Sequence, residues 1–198
     1  RAPRSVGGAV AGCVGPFDVV VARALPGEAV RDHEDARGHA LASLGLDYAV
    51  ADLGTEEGCN AAVEQTEKRL GPIEIFVCNH GLGSAHERVI WEQDPDVWRE
   101  TMRINLDGPF YLSRLIAGRM VEQRYGRCVF TSSTAGLVAE HAGSAYNSSK
   151  HGLIGLMRSV ATDGGEYGIT SNAVLPGWVH TEMAERSAAQ EAKDRGTT

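Results

Sequence analysis

No stretch of this sequence reaches the ~18 apolar residues that a membrane-spanning helix needs, so no membrane partner is expected. Positive charge is short: 19 lysines and arginines stand against 26 acidic residues, a net charge of −7, with no local Lys/Arg cluster to offset it. That balance argues against a nucleic-acid partner. Cysteine is sparse, and the four present (Cys13, Cys59, Cys78, Cys128) form no C-x-x-C pair. A zinc site or disulfide framework is not expected, and a reducing, cytoplasmic setting is. Cys78 and Cys128 sit in apolar, strand-like runs, where a thiol behaves as a small hydrophobe. His80, His141, His151 and His180 are scattered, as surface or site-rim residues would be, and no metal is expected. Arg1 and Arg4 ahead of residues 6–15, with Ala22-Arg23-Ala24 beyond, have the outline of a secretory leader. The glycine density, Pro16 and Asp18 make that segment a poor apolar core for one. Internal repeats, linkers and low-complexity tracts are also missing, so residues 1–198 are expected to form one domain.

What is present alternates. Thr55 can cap a helix through Leu70, with Cys59, Ala62, Val63, Thr66 and Leu70 at helical spacing and Gly71 as the stop. A strand over 73–78 follows and breaks at Asn79-His80-Gly81. A long helix over 96–123 carries Trp98, Met102, Leu106, Leu115, Ile116 and Met120 as its inner stripe. A strand over 128–131 ends in Ser132-Ser133, a helix over 145–163 presents Leu153, Ile154, Leu156, Met157 and Val160, and a strand over 171–175 stops at Pro176-Gly177. Strands that are continuously apolar and separated by helices imply a parallel sheet covered on both faces, an α/β doubly wound domain. In such sheets ligands bind beyond the carboxyl ends of the strands, and the polar and glycine residues gather there.

Tyr146 and Lys150 are four apart in a helical segment, so both point off one face, and Ser133 precedes the tyrosine by thirteen residues. A phenol beside a cation and a hydroxyl can move a proton to or from an alcohol or carbonyl. A free tyrosine titrates near ~10. Bringing it to neutrality takes roughly 4 kcal/mol, about what one cation 4 Å away supplies at an effective dielectric of ~20. Ser132 competes with Ser133 as the hydroxyl. Asn105 costs helix propensity at its position, which favours a special role. A Ser133 hydrolase is disfavoured, since no G-x-S-x-G surrounds it and position 147, where S-x-x-K would need serine, is Asn147.

Over residues 51–183 these motifs fall in a fixed order: Asp52-Leu53, Asn79-His80-Gly81, Asn105, Ser133, Tyr146/Lys150, and Pro176-Gly177-Trp178-Val179-His180-Thr181. The chain resembles the short-chain dehydrogenase/reductase family, most closely its bacterial 3-oxoacyl-carrier-protein reductases and polyketide ketoreductases. The resemblance implies a Rossmann-type three-layer sandwich, here lacking the family's final strand. It also implies an NAD(P)-dependent oxidoreductase that transfers hydride between nicotinamide and a secondary alcohol or ketone, a 3-oxoacyl thioester on a carrier being one candidate. Tyr146 is then the general acid/base, Ser133 orients the substrate oxygen, Lys150 holds the nicotinamide ribose, and Asn105 anchors a water in a proton relay.

On the cofactor side the resemblance implies a glycine loop at Gly8, Gly12 and Gly15, the last arriving one residue later than in the family. It further implies Asp52 and Leu53 at the adenine, Asn79 and Gly81 at the adenosine ribose, and Pro176, Gly177, Val179 and Thr181 at the carboxamide or pyrophosphate. Cys78 and His80 stand where the family has asparagine and alanine. Asp32, twenty-four residues after Gly8, would bond the ribose hydroxyls and repel a 2′-phosphate, favouring NAD(H) over NADP(H). Residues 18–21 look more like strand than helix, against the family's layout. A homodimer or homotetramer is implied through the two long helices. The alternative is a nucleotide-binding or scaffold protein of the same fold that has lost turnover.

Overall fold

The computed structural model describes residues 9–13, 19–24, 46–84, 87–179 and 192. Among the described residues six strands form one sheet in the order β3-β2-β1-β4-β5-β6: β1 (Ala9–Cys13), β2 (Val19–Ala24), β3 (Leu46–Val50), β4 (Ile73–Cys78), β5 (Gly126–Thr131) and β6 (Ile169–Val174). β1, β4, β5 and β6 run parallel, with Phe76 opposite Cys128 and Cys128 opposite Ser171. The expectation of a wholly parallel sheet needs one correction, because β2 runs antiparallel to both β1 and β3. Only residues 14–18 join β1 to β2. A parallel return needs a crossover of a dozen residues or more, so so short a link makes an antiparallel pair. The β-branched run Val19-Val20-Val21 supplies the strand that its sequence favours.

Helix α1 (Glu56–Leu70) starts as expected. The Thr55 hydroxyl accepts from the Gly58 amide at 3.0 Å, Glu56 and Glu57 occupy the first turn, and Lys68 and Arg69 the last. Gly71 ends it with φ of 81°, a conformation a side chain would resist. The helix expected over 96–123 is continuous but not uniform: α2 (Pro95–Met102) passes through a π-helical turn, Arg103–Asp107, into α3 (Gly108–Gln123). The wider turn re-phases the buried face. Thr101, Ile104, Asn105, Gly108, Leu112, Ile116 and Met120 are buried, whereas Trp98, Met102, Leu106 and Leu115 from the expected stripe are half-buried. Helix α4 (Ser144–Gly164) buries Leu153 and Ile154, with Leu156, Met157 and Val160 packed at the core's edge.

The crossovers β3–α1–β4, β4–α3–β5 and β5–α4–β6 all step the same way across the sheet. Right-handed connections therefore put the three helices on one face, where α1 packs on α3 and α3 on α4. Between them and the sheet lie Leu53, Cys59, Ala62, Val63, Phe76, Leu112, Ile116, Met120, Phe130 and Leu153. Phe76 and Phe130 meet edge to face at 5.8 Å. The expected second helical layer lies outside the described residues. Because β4, β5 and β6 are parallel, their carboxyl ends open on one edge of the sheet, and the candidate residues assemble there.

Candidate active site

Three of the parallel strands each deliver part of the site. β4 runs into Asn79, His80 and Gly81; β5 runs into Ser132 and Ser133; β6 runs into Pro176 and Gly177. The chain beyond β6 is tied to the chain beyond β5, since Ser132 N donates to Val174 O at 2.9 Å and Thr134 N to Pro176 O at 3.0 Å. Helix α4 crosses this edge and supplies Tyr146 and Lys150.

The two serines separate cleanly. The Ser132 hydroxyl donates to the Lys150 carbonyl at 3.0 Å and is committed to anchoring α4. Ser133 is the hydroxyl on the Tyr146 side: its oxygen accepts from the Ala135 amide at 3.1 Å, and it hydrogen-bonds the Tyr146 phenol. Lys150 is buried, 6% exposed, and its ammonium donates to the Thr131 carbonyl at 3.0 Å at the end of β5. Burial holds its pKa below the usual lysine value, with the neighbouring Cys78 thiol pulling the other way.

The charge balance at the phenol differs from the sequence expectation. Burial pushes the Tyr146 pKa up, the Ser133 hydrogen bond lowers it, and the Glu140 and Glu87 carboxylates raise it further. The Lys150 ammonium lies 5.6 Å from the Tyr146 ring centroid and is turned to Thr131, so it does not offset the burial as the 4 Å geometry would have. The phenol is therefore an acid at neutral pH.

Asn105 is fully buried on the π turn. Its Oδ1 accepts from Leu82 N at 2.7 Å, while its Nδ2 donates to Leu82 O at 3.0 Å and to Ser149 Oγ at 3.1 Å. The side-chain amide is thus taken up by the backbone after β4 and by α4. Gly81 sits against this cluster: a Cβ there would stand 3.2 Å from Asn105 Oδ1 and 3.4 Å from Lys150 Nζ. His80, expected at the rim, is instead buried at 3% exposure, with Nδ1 3.7 Å from Cys78 Sγ. Burial, reinforced by the Lys150 charge, drives its pKa down to about 4, against a weaker opposing bond to the Ile104 backbone, so the imidazole is neutral. His141 and His151 are exposed, and His180 lies outside the described residues.

Farther along the edge, the Asp52 carboxylate accepts from Gly54 N at 2.9 Å and from Arg103 Nη1 at 2.8 and 3.0 Å. That bond to Arg103 holds its pKa below the usual carboxylate value. The Leu53 side chain is in the core at 0% exposure, and Cys59 Sγ donates to its carbonyl at 3.2 Å, so Leu53 can meet a nucleotide only through its backbone. Gly12, expected in a phosphate-binding loop, lies inside β1 opposite Val21 and Val77. A ladder position between two neighbours leaves no free amide to cradle a phosphate. Gly8, Gly15, Asp32 and Thr181 lie outside the described residues, whereas Val179 is described and exposed.

One residue escaped the sequence. Glu87, 5% exposed, accepts from the amides of Ala145 at 2.8 Å and Tyr146 at 2.7 Å, capping the helix that carries the phenol. Burial raises its pKa and the two amides draw it back. Its partner lies 58 residues on, and the only available hint was a helix start at Gly143 with no side-chain cap. Among the described residues no cluster of His, Cys, Asp and Glu could hold a metal, and no helix is long and apolar enough to cross a membrane.

A family model described as short chain dehydrogenase matches residues 19–192, reaching upstream to β2. The (2S)-[(R)-hydroxy(phenyl)methyl]succinyl-CoA dehydrogenase subunit BbsD of Thauera aromatica is 39% identical over 169 residues, 83% of this chain and 64% of the relative. An acetoacetyl-CoA reductase of Paracoccus denitrificans is 33% identical over 136 residues, 69% of this chain and 54% of the relative. Among solved structures, an actinorhodin polyketide ketoreductase with NADPH superposes with a TM-score of 0.70 at 28% identity, covering 75% of this chain and 57% of the other. The chain spans about three fifths of the length of the curated relatives it matches.

Proposed function

We propose that this chain, which belongs to the short chain dehydrogenase family, acts as an NAD(P)-dependent oxidoreductase on a secondary alcohol/ketone pair, with Tyr146 as the proton donor. The observation that carries this reading is the meeting of Ser133, Tyr146 and Lys150 at the carboxyl end of β5, with the Ser133 hydroxyl on the phenol. The residues at this end fit a nicotinamide dinucleotide. Gly81 keeps open a space beside the Lys150 ammonium that a Cβ would crowd, and Asn79 is exposed at the same strand end. When bound, the dinucleotide supplies or accepts the hydride. Lys150 and Tyr146 would hold its ribose, and Asp52, Asn79, Gly81, Pro176, Gly177 and Val179 the rest of it along the strand ends.

The chain's own part is the proton. With the Ala135 amide behind its oxygen, Ser133 can aim its hydroxyl proton at a substrate carbonyl and polarise it. Tyr146, protonated because it is buried, donates to the same oxygen as charge develops there. Lys150 spends one of its three N–H groups on Thr131, leaving two for ribose hydroxyls and for returning a proton to the phenolate. Asn105 anchors the relay water. A raised phenol pKa keeps Tyr146 in the form that donates to a ketone oxygen.

For substrate we favour a 3-oxoacyl thioester, supported by the relatives named for CoA esters and by an exposed apolar rim of Leu137, Val138, Trp178 and Val179. NAD(H) is favoured over NADP(H) on the position of Asp32 alone. A homodimer or homotetramer through the two long helices, over 96–123 and 145–163, in a reducing, cytoplasmic compartment completes the reading. A second reading, a nucleotide-binding or scaffold protein without turnover, is favoured by the place of Gly12 within β1.

NADH and NADPH binding by fluorescence, then turnover of a ketone panel including acetoacetyl-CoA, tests the first reading against the second. Tyr146→Phe is expected to keep dinucleotide binding and lose turnover by ~10²–10⁴-fold. No binding of either dinucleotide would sink the oxidoreductase reading. Binding with no turnover, unchanged by the substitution, favours the second.

A further inference from the structure

Helix α4 begins without a cap of its own, since Gly143 contributes no side-chain bond. The acceptors for its first turn come from the segment after β4. Glu87 Oε2 takes the Ala145 amide at 2.8 Å, and Oε1 takes the amide of Tyr146 itself at 2.7 Å. The carboxylate is 5% exposed, so both bonds are screened little by solvent and hold the turn from two points. A one-point cap would leave the turn free to pivot. Two acceptors on consecutive amides fix both the rotation and the height of the residue that bears the phenol. On the other side, Asn105 ties α4 through Ser149 and Ser132 ties it through the Lys150 carbonyl. Of these ties, Glu87 is the charged one and the one that takes the Tyr146 amide, while the Ser149 hydroxyl holds the Tyr146 carbonyl from within the helix at 2.8 Å.

We propose that Glu87 is a positioning residue for proton transfer, fixing the Tyr146 phenol by holding the first-turn amides of α4. The inference rests on reading Tyr146 as the proton donor. The charged groups facing the phenol are Glu87 from the segment after β4, Glu140 from the loop before α4, and Lys150 one turn along α4. The Glu87 carboxylate keeps the phenol protonated to higher pH, so it supports the acid form and places it. Removing its charge lowers the phenol pKa. In ketone reduction, where activity falls as the phenol ionises, the basic limb of the pH profile then moves to lower pH.

Glu87→Gln keeps one acceptor and removes the charge; Glu87→Ala removes both. In Glu87→Gln the basic limb is expected to move to lower pH, the direction set by removing a nearby negative charge. The Tyr146 ring resonance, followed by NMR in ¹³C-tyrosine protein and assigned with Tyr146→Phe, should shift its titration by the same amount. Glu87→Ala is expected to lower kcat roughly tenfold or more through misplacement of the phenol, with KM for the dinucleotide within about twofold. If Glu87→Gln does not fold, Glu87→Asp serves: it keeps the charge, so the titration should stay while kcat falls. A titration of Glu87→Gln that overlays the wild type, or kcat unchanged in Glu87→Ala or Glu87→Asp despite a lower Tm, makes Glu87 a plain helix cap and overturns the proposal. The NMR titration needs no turnover. A wild type that neither binds dinucleotide nor turns over therefore sinks the oxidoreductase reading separately.

Discussion

Asn105 grips Leu82 by both main-chain groups, accepting from its N–H at 2.7 Å and donating to its C=O at 3.0 Å. A side-chain amide here does what a neighbouring strand would do, and so holds the backbone just after Gly81 against the π turn. Asn105→Ala should destabilise the fold by about 2–3 kcal/mol, because the Ser149 hydroxyl and the Leu82 groups lose a buried partner together. A urea melt reads this as a lower midpoint at unchanged m. Asn105→Asp keeps the acceptor and loses the donor, and it should also be less stable than wild type.

Buried neutral His80 makes the protein acid-sensitive in a defined window. Its folded pKa is about 4, below the ordinary 6.5, so the unfolded chain binds the extra proton first as pH falls. Its stabilising contribution is complete above pH 6.5, drains between about 6.5 and about 4, and amounts to roughly 3 kcal/mol at most. His80→Ala should flatten the Tm-against-pH curve across that window. An equally steep curve in the variant would mean another group carries the acid response.

The three described thiols should be silent. Cys59, Cys78 and Cys128 are buried, with Cys78 pushed up to about 12 and Cys128 to about 11 by burial. Thiolates are the reactive form, so iodoacetamide at pH 8 should leave all three unmodified in the native protein and label them after unfolding. Peptide mass mapping distinguishes the two states.

Arg103 joins Asp52 and Glu100, with its own side chain a third exposed and theirs about half. Pairs this open contribute little, so Arg103→Met should cost less than about 1 kcal/mol. Its effect should show in titration. Both carboxyls are held below their usual values by Arg103, and both should move up toward 3.8 and 4.5 in the variant. Carboxyl-selective NMR measures that directly. If Asp52 meets the adenine, dinucleotide affinity should change as well, while Tm barely moves.

What could be read in the sequence was whatever local chemistry specifies. Thr55 and Gly71 mark the ends of α1 because caps are short-range devices, and β4, β5 and β6 declare themselves as apolar runs ending in polar residues. Tyr146, Lys150, Ser133 and Asn105 could be picked out by order and spacing, and the structure brings them to one strand edge. The strand character of residues 18–21 was visible too, but not that β2 would run antiparallel, since pairing direction depends on a neighbour. The Asn105 grip on Leu82 and the Glu87 cap span 23 and 58 residues. Such contacts leave no periodicity behind. The depth of His80 does not show in the sequence for a related reason: it meets the Ile104 backbone in the π turn, which no propensity announces.

That π turn acts as a phase shifter. Each residue of an α-helix advances the azimuth by about 100°, so one residue accommodated in a wider turn lets α2 run on into α3 while the two present faces that no uninterrupted helix could present together. Excising a single residue from Arg103–Asp107 would heal the helix into regularity and swing one half out of step with the other. The irregularity is thus a spacer in angle, and the strand edge keeps its amide clamp because the helix above it is one residue out of time.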